Sequence, residues 1–139
     1  MTGRLRDDRG SITTELVLIT PVAIALLCLV ALVGRTASAR EQVNEASRDA
    51  ARAASLERDP TSAVVAAESS ASRSLTTQGF NCAATRVLVD TAAFTPGGQV
   101  SVRVECDVPL SDLGLIGLSG VRTVESSAVS VVDTYRGTT

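Results

Sequence analysis

From Leu16 to Gly34 the chain carries no charged side chain, reading Leu-Val-Leu-Ile-Thr-Pro-Val-Ala-Ile-Ala-Leu-Leu-Cys-Leu-Val-Ala-Leu-Val-Gly. A helix over this run, at about 1.5 Å per residue, approaches the roughly 20 residues that cross a bilayer core. Glu15 stands immediately before it, five residues beyond Gly10. A carboxylate at the edge of hydrocarbon is costly, because lipid offers an ion neither water nor a partner. The placement therefore asks for a reason, and the chain is expected to meet a membrane at its N-terminus.

Three readings of the segment differ in where the chain is cut. A Sec signal peptide would use Arg4, Arg6 and Arg9 as its basic region and Ala37-Ser38-Ala39 as its cleavage site, giving a soluble secreted protein. Its apolar core would exceed the usual span of about 7 to 15 residues. An uncleaved signal anchor follows from length alone. The third reading uses Gly10 and Glu15 together.

A short hydrophilic leader ending in Gly10, then Ser11-Ile-Thr-Thr-Glu15 and an apolar helix, resembles the type III leader of type IV pilins and pseudopilins. Within that group the stretch Arg9-Gly-Ser-Ile-Thr-Thr-Glu-Leu-Val-Leu-Ile-Thr-Pro21 is most similar to the TadE-like family of the tight-adherence (Tad, Flp-type) pilus systems. Leu16 stands where pilins often carry phenylalanine or another large residue. The alanine-rich stretch from Arg35 to Ala54, the alternating valines around Cys106 and a closing strand near Tyr135 fit the same layout. The resemblance implies cleavage between Gly10 and Ser11 by a membrane-embedded prepilin peptidase on the cytoplasmic side, leaving the helix in the membrane. It implies a minor pseudopilin in pilus biogenesis, with other pilins or pseudopilins and the export apparatus as partners. The N-terminus would be cytoplasmic and the C-terminal domain extracytoplasmic.

The chemistry of the site can be stated from the residues. A cut after Gly10 gives Ser11 a free α-amino group, largely protonated at neutral pH. Glu15 lies one helical turn on and shares a face with it. The carboxylate can pair with its own terminus or with that of a neighbouring subunit, where it would act as a register device for assembly. It can also serve simply as a negative charge at a helix N-terminus.

The chain has 139 residues, of which about 80 follow Asp59, small for an independent core. Such domains often depend on a disulfide, a metal or oligomerisation. A net charge of -2 gives no reason to expect nucleic acid. Positive charge leaves orientation ambiguous, since Arg4, Arg6 and Arg9 on one side face Arg35 and Arg40 on the other. The short leader carries the argument for a cytoplasmic N-terminus.

Helical periodicity continues past the apolar run, with Ala39, Val43, Ala46, Ala50 and Ala53 in a narrow stripe flanked by charges. One helix is expected from Ile12 to about Glu57, and Pro21 should kink it or leave one carbonyl unpaired. The stripe can pack under its own domain or against other subunits. Asp59 and Pro60 read as N-cap and first helical residue of a second helix marked by Val64, Ala67, Ala71 and Leu75 and ended by Gly79. From Cys82 the period becomes two, through Thr85, Val87 and Val89, then Val100, Val102, Val104, Cys106 and Val108. A third strand is expected between Val121 and Tyr135. The predicted fold is α+β: a long N-terminal transmembrane helix, a second helix and a three-stranded antiparallel sheet. The expected divisions are a leader over 1–10, a transmembrane and extended helix over 11–58, and a small extracytoplasmic domain over 59–139.

Cys82 and Cys106 are expected to pair if this domain lies outside the cytoplasm. Setting Leu88 opposite Val100 would place Cys82 directly opposite Cys106. Closing a loop of about 25 residues would contribute roughly 3 kcal/mol. Cys28, inside the apolar run, reads as a small apolar side chain. With no histidine and no C-x-x-C pair, neither a metal site nor a cofactor is expected. Acid-base or nucleophilic catalysis finds no constellation, so the chain reads as a structural assembly protein and not an enzyme. Phe80, Phe94 and Tyr135 are too few for a stacking platform. A signal-anchored extracytoplasmic binding domain without an assembly role is the competing reading.

Overall fold

The computed structural model describes residues 9–112, 117 and 119–135, with side chains from Glu15 onward. The expected leader residues Arg4, Arg6, Asp7 and Asp8, and part of the Gly-punctuated segment between Leu110 and Gly120, lie outside the described residues. Five elements follow in order: α1 (Arg9–Ser55), α2 (Pro60–Thr77), β1 (Ala84–Asp90), β2 (Gln99–Pro109) and β3 (Val121–Val131). The chain divides into two compact units, Met1–Gly34 and Arg35–Thr139. The second unit thus includes the last turns of α1 together with α2 and the sheet.

Helix α1 ends at Ser55, where its geometry tightens. The Leu56 and Glu57 amides bond back to the Ala53 and Ala54 carbonyls, and the Ser55 hydroxyl donates to the Arg52 carbonyl at 2.8 Å. Asp59 then caps α2 as its sequence position suggested. Its Oδ1 accepts from the Ser62 amide at 2.9 Å, its Oδ2 from the Ser62 hydroxyl at 2.7 Å, and Pro60 occupies the first turn. At the other end the Phe80 amide reaches the Leu75 carbonyl and the Gly79 amide the Thr76 carbonyl. This is the Schellman arrangement, and Gly79 supplies the left-handed residue it needs at φ 68°. Phe80 packs back toward the core of which Leu75 is part.

The sheet is antiparallel with order β1-β2-β3. Strand β2 is central and its alternation is complete: Val100, Val102, Val104, Cys106 and Val108 are buried, while Ser101, Arg103, Glu105 and Asp107 take the other face. Against the buried face lie Ala39, Val43, Ala46, Ala50, Ala51 and Ala54 of α1 and Ala63, Ala67, Ala71 and Leu75 of α2. Alanine at the contact lets a helix backbone approach closely, at the cost of little apolar area per residue. The stripe on α1 therefore packs inside its own domain, with Ala54 and Ala51 buried and Ala53 only half-buried. On α2 the fully buried position is Ala63, and Val64 is half-buried.

The expected register is corrected. Leu88 pairs with Arg103, not Val100, and the ladder sets Val87 against Val104, Val89 against Val102 and Thr85 against Cys106. The reason is facial. Side chains alternate along a strand, so a directly opposed Cys82 and Cys106 would have put Val87 and Val89 on the face away from Val102 and Val104. The observed ladder keeps the apolar residues of β1 and β2 on one face. In the connection, Gly98 has no room for a side chain, since a Cβ would collide with the Ala93 carbonyl.

Candidate functional site

The N-terminal features and the packed domain differ in what their side chains face. In the first unit most apolar side chains face outward: Leu16, Val17, Leu18, Val22 and Leu27 are about two-thirds exposed, and Ile19, Ile24, Leu29 and Val33 more than half, while Leu32 is half-buried. Among the described residues this is the one helix long and apolar enough to cross a membrane, with a mean hydropathy of 3.0. Every side chain in that stretch would gain by leaving water.

Gly10 and Ser11 lie in the first turns of α1, and Glu15 follows in the same helix with its side chain exposed. No described side chain is placed beside Glu15 to neutralise it. Pro21 sits inside α1, which continues on both sides of it. Its missing N–H removes one hydrogen bond to the preceding turn. Just before it, the Thr20 hydroxyl donates to the Leu16 carbonyl at 2.6 Å, a back-bond of the kind that favours a bend in a helix. Cys28 is a free thiol on the exposed apolar surface.

In the second unit Cys82 and Cys106 are joined, with Cα atoms 5.4 Å apart. The bridge forms without direct strand opposition. Strand β1 begins only at Ala84, and the Ala83 amide bonds the Asp107 carbonyl at 2.7 Å, so Cys82 lies where the chain leaves the ladder. The cross-link therefore ties the segment following α2 to the central strand.

Three polar features escaped the sequence reading. A seam of hydroxyls joins α1 to β3: Ser126 donates to the Asn44 side-chain carbonyl at 3.1 Å, Ser47 approaches Ser126 at 3.4 Å, and Ser130 donates to Ser55 at 3.0 Å. The even positions of β3 (Ser126, Ala128, Ser130) are small and face the helix, a signal hidden because serine does not count as apolar. On the opposite face Arg86 reaches both Glu105 at 3.3 Å and Asp107 at 3.5 Å, and Thr123 donates to Asp107 at 2.6 Å, crossing all three strands. The alternating charges of β2 could have suggested this face. The third is Gln42, whose side-chain carbonyl oxygen is buried without a hydrogen-bond partner. At the surface, the Asp59 carboxyl is held below its ordinary pKa, first by the Ser62 hydroxyl and then by the Ser62 amide. A shallow cleft of about 420 Å³ runs between α1 and β3, lined by Arg40, Glu41, Asn44, Arg122 and Glu125 among others.

A helix that begins just before a glycine, carries a carboxylate five residues on and then becomes wholly apolar is a specific arrangement. Residues 10–52 match the TadE-like protein family. The match bears out the resemblance read from the stretch between Arg9 and Pro21. The matched segment is the body of α1, covering both its exposed apolar half and its buried alanine stripe. No curated protein and no solved structure matches the chain. The TadE-like match stops at Arg52, so α2 and the sheet lie beyond it.

Proposed function

We propose that this chain is a minor pseudopilin acting in the assembly of a Tad (Flp-type) pilus. The observation that carries the reading is the TadE-like match beginning at Gly10 and running along an outward-facing apolar helix. In this reading a prepilin peptidase removes residues 1–10 by cutting between Gly10 and Ser11. The helix then holds the protein in the membrane with the rest of α1, α2 and the sheet outside the cytoplasm. Glu15, one turn from the new α-amino group, provides the charge that registers one subunit against another, since an ion pair in hydrocarbon is favourable only when both partners meet. The disulfide fits an oxidising location. Partners are other pilins or pseudopilins and the export apparatus.

The test is the N-terminal residue of the protein recovered from membranes, with and without Gly10→Ala. A start at Ser11 that is lost in the variant supports processing. A start at Arg40 would mean a secreted protein, and an intact leader would leave only an anchored domain. Glu15→Gln separates the remaining pair, because an anchor tolerates it and an assembly register does not.

A further inference from the structure

Among the described residues the sheet ends in two edges, β1 and β3. Sheets commonly blunt their edges with proline, lysine or a bulge. Here β1 and β3 contain no proline and no lysine, and both pair with β2 without a skipped residue. Strand β3 is also long, at 11 residues, and exposes Val121, Val129 and Val131. Because each is antiparallel to β2, β1 and β3 run in the same direction. A row of copies in one orientation therefore presents β3 of each to β1 of the next as a parallel pair. Antiparallel pairing of two like edges would instead invert one domain against the other.

Charge selects this join. On the face away from the helices, Arg86, Glu105 and Glu125 stand at one level across the three strands, and Leu88, Arg103 and Ser127 at the next. Glu105 and Glu125 are directly opposed, a like-charge pair that weakens a sheet. Arg86 compensates Glu105 at 3.3 Å, while Glu125 has no ion-pair partner among the described residues. In an unshifted edge-to-edge row, Glu125 falls beside Arg86 of the next copy. The Arg86 side chain is 61% exposed and retains donors beyond those it gives to Glu105 and Asp107. A shift of two residues either way would set Glu125 beside Ala84 or Leu88 and leave it unmatched.

We propose that copies of this chain join edge to edge, β3 of one adding in parallel to β1 of the next, with Glu125 paired to Arg86 of the next copy. The contact uses two different patches, so it is heterologous and carries on from copy to copy, as an open row or a ring according to the rotation between them. It deepens the assembly role proposed above and rests on that reading for its biological setting.

The test uses the full-length chain in membranes, in a Cys28→Ala background, with Leu88→Cys and Ser127→Cys introduced singly and together. Within one chain these positions lie two strands apart, about 10 Å, beyond disulfide reach. Mild oxidation should give a ladder of dimers, trimers and higher species from the double variant and monomers from each single one. Adding Glu125→Arg should cut the ladder about tenfold. Dimers from Ser127→Cys alone would reveal like-edge pairing and overturn the proposal, as would a double variant that stays monomeric or a ladder indifferent to Glu125→Arg. Mapping the N-terminus in the same samples separates the two ideas. A start at Ser11 without a ladder sinks the edge contact alone, and a ladder with an intact leader sinks the pilus reading alone.

Discussion

The two halves of α1 face different neighbours with the same backbone. From Leu16 to Val33 the side chains are large, aliphatic and turned outward, whereas from Ala39 to Ala54 the inward positions are mostly alanine and the outward ones are Arg40, Glu41, Glu45, Arg48, Asp49 and Arg52. Lipid chains adapt to whatever surface they meet, so in the membrane-anchored reading bulk is tolerated all round in the first half. A folded core has fixed volume, so the second half must use residues that fit between it and the valines of β2. Residue size, more than hydrophobicity, distinguishes the two halves of this helix.

The contrast can be broken most strongly at the disulfide. Replacing Cys82 and Cys106 with alanine should lower the stability of the packed unit by about 3 kcal/mol while the apolar half stays helical. Urea unfolding of the detergent-solubilised protein, read by amide exchange along β2, would show it, and equal loss in both halves would refute their independence. A sharper comparison inserts the same side chain twice. Ala50→Leu, at a fully buried position, should cost about 1–3 kcal/mol by overpacking. Ala25→Leu, on the exposed apolar surface, should change domain stability by less than about 0.5 kcal/mol. Comparable effects would mean that residue size is not what separates the halves. Ser130→Ala should cost about 1 kcal/mol by removing the bond to Ser55, detectable as a lower urea midpoint.

The smallest effect concerns the turn that follows α1. Asp59 has a lowered pKa in the folded state, so its contribution is present above the unfolded value and is lost as pH falls below the ordinary 3.8 toward the folded value. The difference in thermal midpoint between the native chain and Asp59→Ala should therefore be visible at pH 6 and shrink at pH 3. A difference that grew on acidification would reverse the assignment.

Much of this architecture was legible in residue patterns. The cap at Asp59, the stop at Gly79 and the alternation of β2 all rest on local chemistry that tertiary context did not override. The register failed because one long-range assumption, direct opposition of two cysteines, was allowed to outrank the facial rule satisfied by Val87 and Val89 against Val104 and Val102. Ala63 and Ala54 were missed in favour of Val64 and Ala53, since neighbouring alanines give periodicity little contrast. The Ser126 and Ser130 seam could not be read because a serine is buried only once a partner reaches it. At the N-terminus, the roles proposed for Gly10, Ser11 and Glu15 rest on chemistry between chains, which no single fold displays.

The bridge between Cys82 and Cys106 also sets a chronology. Thiols stay reduced in the cytosol and oxidise outside it, and the two cysteines lie on either side of the β1 hairpin, long after the apolar helix in the order of synthesis. A chain threaded outward from its N-terminal anchor would acquire that cross-link only once Cys106 had crossed, with β3 still to follow. The covalent bond would then mark copies whose central strand had been delivered, apart from those stalled before it.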